Sequence, residues 1–253
     1  MSELRVSIIT VSFNAEKTIR DTIQSVISQN YSRIEYIIID GASRDNTISI
    51  IKSFGNGITR FVSEPDHGIY DGMNKGIDLA TGDIIGILNA DDFYTDPEVI
   101  SKVMNVFNSK ADVDAVYGDL DYVDQHDTTR VVRKWKSGNY YQHAFLKGWM
   151  PPHPTFFVRK SCYLKYGKFT DKLKSAADYE FMLRLIHKHQ IKIAYLPEVL
   201  VKMRAGGKSN ASIKNRIKAN REDKLAWKMN NLQPAPFTFI RKPLSKLTQF
   251  FRR

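Results

Sequence analysis

The chain has 253 residues, 42% hydrophobic and 26% charged, with a net charge of +11. That length buries a sizeable core, which excludes disorder and a miniprotein, and no run approaches the roughly 18 apolar residues of a membrane span. The charge is uneven: residues 202–253 hold 14 Lys and Arg against two acids, Glu222 and Asp223, so a near-neutral body carries a cationic tail. A tail of this kind predicts an anionic partner, a phospholipid surface or a nucleic acid. Cys162 is the single cysteine, so no internal disulfide forms. The N-terminus "MSELRVSIITVSFN" has an acid before its apolar run and no small-residue cleavage pattern after it, which predicts a cytoplasmic protein without a signal peptide.

In chain order, "RVSIITVSF" (5–13) reads as a buried strand, residues 15–29 as a helix, and "IEYIIID" (34–40) as a second strand. A helix from Thr47, a strand "TRFVS" (59–63), a helix over "YDGMNKGIDLA" and a strand "GDIIGILN" (82–89) follow. Strands alternating with helices predict an α/β fold with parallel pairing, and near-continuous apolar strands predict a sheet covered on both faces. Beyond residue 110 the pattern is mixed. "DAVYGDLDYV", "RVVRKW" and "PTFFVRK" read as strands, "AADYEFMLRLIHKH" as a helix, and "IAYLPEVLVKMR" as two strands broken at Pro197. Helices from Asn210 to Lys228 and from Phe239 onward flank "QPAPF", the best linker candidate.

In such sheets ligands bind outside the carboxyl ends of the strands. Those ends carry Phe13 and Asn14, Asp40 and Gly41, Glu64 and Asp66, and then Asn89, Asp91 and Asp92. One Asp after a strand is ordinary turn chemistry, but acids after three of the four strands converge on one rim. Adjacent carboxylates repel, and an oxygen-only cluster suits Mg²⁺ or Mn²⁺ held with substrate phosphates; the alternative is a polar loop before the helix that Asp96 caps. Asp178 shares a helical face with Phe181, Met182 and Leu185, so it is read either as a core-facing acid able to act as a general base or as a helix N-terminal acid favoured by the dipole. Glu180 and Arg184 read as an outward surface pair, and His187 and His189 as solvent-facing. His153, between prolines, is either held toward a site or an ordinary surface histidine. No P-loop, GxGxxG turn, HExxH pair or GxSxG elbow is present, which disfavours those chemistries.

Taken together, "VSIITVSFN", "IIIDGASRDNT", "DHGIYDGMNKGIDLATGD", "LNADD", "AADYEFMLRL" and "RAGGKSN" resemble glycosyltransferase family 2 over residues 4–210. The likeness is greatest to bacterial members that build O-antigen, capsule or exopolysaccharide. The resemblance implies a GT-A, Rossmann-like, mostly parallel sheet flanked by helices. Residues 1–118 would be its nucleotide-sugar half, 119–210 its acceptor half, and 211–253 a basic helical extension. It implies inverting transfer from a UDP-sugar to a hydroxyl of a glycan carried on a polyprenyl lipid. The base would lie between Val11, Phe13 and Asp40, with Asp66 also on the donor side. Asp91 would lie by the ribose and diphosphate, Asp92 would hold Mg²⁺ or Mn²⁺, and Asp178 would be the general base. Lys208 would sit near the diphosphate, and His153 would contact diphosphate or acceptor. Two positions depart from the family pattern: Asn89 stands where many relatives have Asp, and Met73 lies near where some place a donor-contacting Arg.

The aromatic and basic tail "FTFIRKPLSKLTQFFRR" has the pattern of a helix lying in a membrane interface, and so predicts peripheral attachment at the inner face of the plasma membrane rather than nucleic-acid binding. Two other functions stay open at this level: an inert nucleotide-sugar-binding or scaffold protein, and a nuclease or nucleotidyltransferase with a nucleic-acid-binding tail.

Overall fold

The computed structural model describes residues 3–206, 213–236, 238 and 239, with the backbone alone for 213–219. Val6–Ser12 (β1) is buried along its whole length and pairs in parallel with Ile34–Asp40 (β2), from Val6 opposite Ile34 to Ser12 opposite Asp40. Arg60–Ser63 (β3) extends the parallel sheet beyond β2, and Ile84–Ile87 (β4) extends it beyond β1. The connecting helices are Ile19–Ile27 (α1), Thr47–Lys52 (α2) and Ile69–Leu79 (α3). α1 buries Ile19, Thr22, Ile23 and Val26, one stripe at helical spacing. α3 lies so close to β1 that a Cβ on Gly76 would come 2.4 Å from Ile9 Cγ2, so this crossing needs glycine.

The second half adds Asp92–Tyr94 (β5), helix Val99–Ser109 (α4), Ala115–Val123 (β6), Val131–Trp135 (β7) and Phe157–Arg159 (β8). Helix Lys160–Tyr166 (α5) and helix Ala177–Met182 (α6) follow, and α6 continues into a wider π-helical turn, Leu183–Lys188. Ile193–Arg204 (β9) and helix Ile213–Met229 (α7) complete the described elements. Among the described residues nine strands form one sheet in the order β3-β2-β1-β4-β8-β6-β9-β5, with β7 alongside β6. β8 joins the two halves by pairing antiparallel with both β4 and β6, and β9 runs parallel to β6. One apolar core lies between the sheet and α3, α5, α6 and α7, the other between the sheet and α1, α2 and α4. Met73 is buried in the first of these with Val11 and Ile39.

The α/β alternation is as the sequence implies. Three local readings are corrected. Pro197 does not divide two strands: β9 is continuous, and the pairing with β6 shifts register between Tyr117/Tyr195 and Asp119/Val199, so the proline sits in a bulge where its missing N–H costs no ladder bond. Glu180 is not outward. It is 3% exposed, held by Arg184 at 2.8 Å and by Asn230 Nδ2 at 2.9 Å, because α7 covers that face. His187 packs against Trp227 and Phe145 under the same cover, at 5.3 Å and 6.0 Å between ring centres. The described part of "QPAPF", residues 233–236, is irregular chain after α7, and beyond it Thr238 is buried with its hydroxyl donating to the Leu146 carbonyl at 2.7 Å. Residues 240–253 of the expected tail helix lie outside the described residues.

Candidate active site

The strand ends form one rim. Asp40 is fully buried, and its two oxygens accept from the Ser12 and Ser43 hydroxyls at 3.0 and 2.5 Å and from the Ser43 N–H and Ser63 hydroxyl at 2.9 and 2.8 Å. It thereby ties the ends of β1, β2 and β3 together. Beside it a Cβ on Gly41 would fall 2.6 Å from Asp66 Oδ2, and one on Gly72 3.1 Å from Val11 Cγ1 and 3.6 Å from the same Asp66 oxygen. Val11, Gly41, Asp66 and Gly72 therefore face one small space. Phe13 stands at its edge, 56% exposed, a large apolar ring open to solvent at the mouth of a polar rim. Asn14 and Ala42 hold left-handed backbone, φ 48° and 58°, and the two loops lock through Asn14 N–H to Ser43 Oγ at 2.8 Å and Arg44 N–H to Asn14 Oδ1 at 2.9 Å.

Asp92 opens β5, which pairs with the far end of β9, Asp92 opposite Met203. The Asp92 side chain is fully buried. Oδ2 accepts from Asn89 Nδ2 at 3.2 Å, while Oδ1, and likewise Asn89 Oδ1, have no hydrogen-bond partner among the described residues. Burial first, and then the Asp91 charge, push the Asp92 carboxyl well above the usual range; burial also raises Asp91. Arg204 closes the site from β9. It donates to the Asp91 carbonyl at 2.8 Å, pairs with Asp21 and lies 5.0 Å over the Phe93 ring. Two buried, unpartnered oxygen acceptors beside a second carboxylate fit a hard divalent cation that draws its remaining ligands from substrate phosphates and water. Among the described residues no group of three or more His, Cys, Asp or Glu stands together.

Asp178 sits in the first turn of α6 and is half-buried rather than turned into the core; its neighbours Ala177 and Tyr179 take the core positions. The Tyr70 hydroxyl donates to Asp178 Oδ1 at 3.1 Å. His153 lies edge-on to Phe169 at 5.6 Å, and burial lowers its imidazole against the opposing pull of the Asp178 charge. Tyr122, at the end of β6, feels both acid sites. Its phenol is pushed up by burial and by the charges of Asp92 and Asp178, against Arg133, whose guanidinium lies 3.6 Å from the ring centre. Asp92 and Asp178 thus both act on the Tyr122 phenol, His153 lies within the field of Asp178, Val11 and Asp66 meet beside Gly41 and Gly72, and Phe13 follows β1 as an exposed ring. Lys208 lies outside the described residues.

Sequence reasoning did not single out Tyr70, Tyr122, Arg133 or Arg204. Tyr70 and Arg204 carried a signal, as parts of the quoted "DHGIYDGMNKG" and "RAGGKSN" stretches; Tyr122 and Arg133 depend on how β6 and β7 meet.

A family model described as glycosyl transferase family 2 matches residues 7–166. An uncharacterised glycosyltransferase of Mycobacterium tuberculosis (strain CDC 1551 / Oshkosh) is 33% identical over 186 residues, spanning 71% of this chain and 68% of the relative. Among solved structures, S. aureus TarS 1-349 in complex with UDP-GlcNAc matches with a TM-score of 0.67 at 16% identity, over 98% of this chain and 73% of that one. The mannosyltransferase PcManGT from Pyrobaculum calidifontis in complex with GDP-Man and Mn²⁺ matches with a TM-score of 0.67 at 18% identity, over 96% and 68%. The two structural matches establish the fold, which is the GT-A arrangement implied by the sequence motifs.

Proposed function

The chain belongs to glycosyl transferase family 2 and is a glycosyltransferase, and from that premise we propose that it moves a sugar, with inversion, from a UDP-sugar to a hydroxyl of a glycan carried on a polyprenyl lipid. The setting is bacterial surface polysaccharide synthesis at the inner face of the plasma membrane. The observation that carries the reading is the presence of two unlike acid sites: the fully buried Asp92, with an unpartnered oxygen beside Asn89 and the half-buried Asp91, and the half-buried Asp178 held on one oxygen by Tyr70. A nucleotide-sugar donor is supported by the complexes of two structural relatives, one with UDP-GlcNAc and one with GDP-Man and Mn²⁺.

The division of labour follows from the chemistry. A sugar hydroxyl is a weak nucleophile and a nucleoside diphosphate a highly charged leaving group, so a proton must leave on one side and charge be offset on the other. Asp178 takes the proton: Tyr70 occupies Oδ1, leaving Oδ2 for the acceptor hydroxyl. His153, kept neutral by its burial, adds no cation to compete for that carboxylate. Val11, Asp66 and Phe13 border the base of the donor, and Asp40 acts by fixing the rim through its serine bonds. Asp91 would lie by the ribose and diphosphate, and the resemblance implies a role near the diphosphate for Lys208, which is outside the described residues. Asp92, with Asn89 beside it, would hold Mg²⁺ or Mn²⁺, which when bound offsets diphosphate charge. Among the described residues no helix is long and apolar enough to cross a membrane; the attachment we propose is peripheral, on the aromatic and basic pattern of the tail sequence.

The test is a screen of UDP-, GDP- and dTDP-sugars with Mn²⁺ for donor hydrolysis and thermal shift, comparing the wild type with Asp92→Ala and Asp178→Asn. UDP-sugars should be selected, Asp92→Ala should lose the metal-dependent shift, and Asp178→Asn should keep donor binding but lose turnover. Wild-type turnover in Asp178→Asn would remove the base assignment.

A further inference from the structure

α3 does more than connect two strands. Tyr70, Asn74 and Asp78 stand four residues apart along one face of the helix. All three grip the segment that leads into α6. Tyr70 donates to Asp178 and stacks on Phe169, with ring centres 5.8 Å apart. Asn74 makes a two-way bond to the Phe169 backbone: Nδ2 donates to its carbonyl at 2.9 Å, and Oδ1 accepts its N–H at 3.0 Å. Asp78 meets Lys168 at 2.5 Å, a surface pair that adds little by itself. Phe169 in turn packs on Phe181 of α6 at 4.7 Å, so the gripped segment is continuous with the helix that carries Asp178.

The opposite face of α3 packs on the donor side. Gly72 and Gly76 press against Val11 and Ile9, Met73 and Ile77 enter the core, and Asp66 Oδ1 accepts the Gly68 N–H at the helix start at 2.9 Å. One helix therefore touches Val11 and Asp66 with one side and the Asp178 carboxylate with the other. Burial and the neighbouring Asp178 charge push the Tyr70 phenol up, which keeps its hydroxyl a donor.

We propose that the Tyr70–Asn74 face of α3 is a positioning device for the base, holding Asp178 through the tyrosine hydroxyl and its leading segment through the asparagine, and tying both to the donor pocket. The proposal rests on the reading of Asp178 as the base. Fixing one carboxylate oxygen presents the other to the acceptor in a single orientation, and a misplaced base costs rate without weakening donor binding.

The test measures hydrolysis of UDP-GlcNAc and GDP-mannose with Mn²⁺ on the full chain. Tyr70→Phe keeps the ring stack and removes the hydroxyl, so kcat should fall about tenfold, the scale of one hydrogen bond to a charged group, with the donor KM unchanged. Asn74→Ala should lower kcat in the same way, and Asn74→Asp, which keeps an acceptor for the Phe169 N–H, should recover part of it. Wild-type kcat in Tyr70→Phe, or a raised KM alone, overturns the proposal. Asp178→Asn in parallel separates the two readings: wild-type turnover there removes the base assignment, whereas its loss beside an unaffected Tyr70→Phe removes only the positioning role. Hydrogen exchange reads the same device without turnover. Asn74→Ala should speed exchange across residues 168–178 about tenfold and leave β2 unchanged, and equal exchange in the two proteins overturns the proposal.

Discussion

Asp92→Asn separates the stability of the site from its use. In the wild type a fully buried carboxylate keeps Oδ1 without a partner among the described residues, close enough to Asp91 for the second charge to raise it further. The amide is isosteric, can still accept from Asn89 Nδ2, and replaces an unpartnered acceptor with an N–H that has the likewise unpartnered Asn89 Oδ1 within its own side-chain pair. Leaving a buried polar atom unsatisfied costs about 1–3 kcal/mol. Taking the lower end, the metal-free variant should be about 1 kcal/mol more stable than the wild type, or ~2–4 °C in Tm for a chain of this size. With Mn²⁺ and UDP the order should reverse. A ligand at a hundred times its Kd stabilises by about 2.7 kcal/mol, and the variant should forfeit most of that. Differential scanning calorimetry of both proteins, with and without Mn²⁺ and UDP, measures the two differences together. A variant less stable than the wild type in metal-free buffer would refute the unsatisfied-carboxylate argument, and an undiminished Mn²⁺ shift would refute the metal assignment.

Gly41→Ala should displace the Asp66 carboxylate, which lies 2.6 Å from the new methyl, and so weaken UDP binding about tenfold by calorimetry while Tm changes by less than ~4 °C, since only a flexible side chain must give way. Glu35 is a pH-dependent stabiliser on the far side of the sheet. Burial alone would raise it, but bonds from the Ser7 hydroxyl and from Thr81 N–H and hydroxyl, at 2.5, 2.7 and 2.9 Å, outweigh that and lower it. A lowered folded value contributes stability above the unfolded carboxylate range and loses it as pH falls through the folded value. Urea unfolding of Glu35→Gln should therefore show a deficit of about 1–2 kcal/mol at pH 7 that closes as pH falls through the lowered folded value; a deficit independent of pH would assign the effect to packing. Removing residues 240–253 should release the protein from anionic phospholipid vesicles in flotation without changing donor hydrolysis, and equal vesicle binding would end the membrane reading of the tail.

By itself the sequence determined the layered α/β plan and the rim. Apolar runs such as "VSIITVS" and "IEYIIID" can be buried on both faces only in a covered parallel sheet, and polar residues at their ends must gather on one edge. Asp40, Asp66, Asp91 and Asp92 were legible for that reason, since strand direction alone places them. Asp178 was legible as an acid at a helix start, but not as half-exposed, because helical spacing describes a face and cannot tell that the first turn projects beyond its cover. Glu180 and His187 were misread in the other direction, because the cover supplied by α7 comes from residues some fifty positions later. β5 is only three residues long, too short for periodicity to register, and exists because the end of β9 offers it a ladder.

What only the tertiary structure decided is how the rim acts as a site. Local spacing reports burial and turn geometry within a few residues, whereas Tyr70 of α3 on Asp178 of α6 and Arg204 of β9 on the Asp91 carbonyl join elements more than a hundred residues apart. Their energies depend on distances fixed by strand order, bulge and helix packing, and no stretch of the chain carries those distances alone.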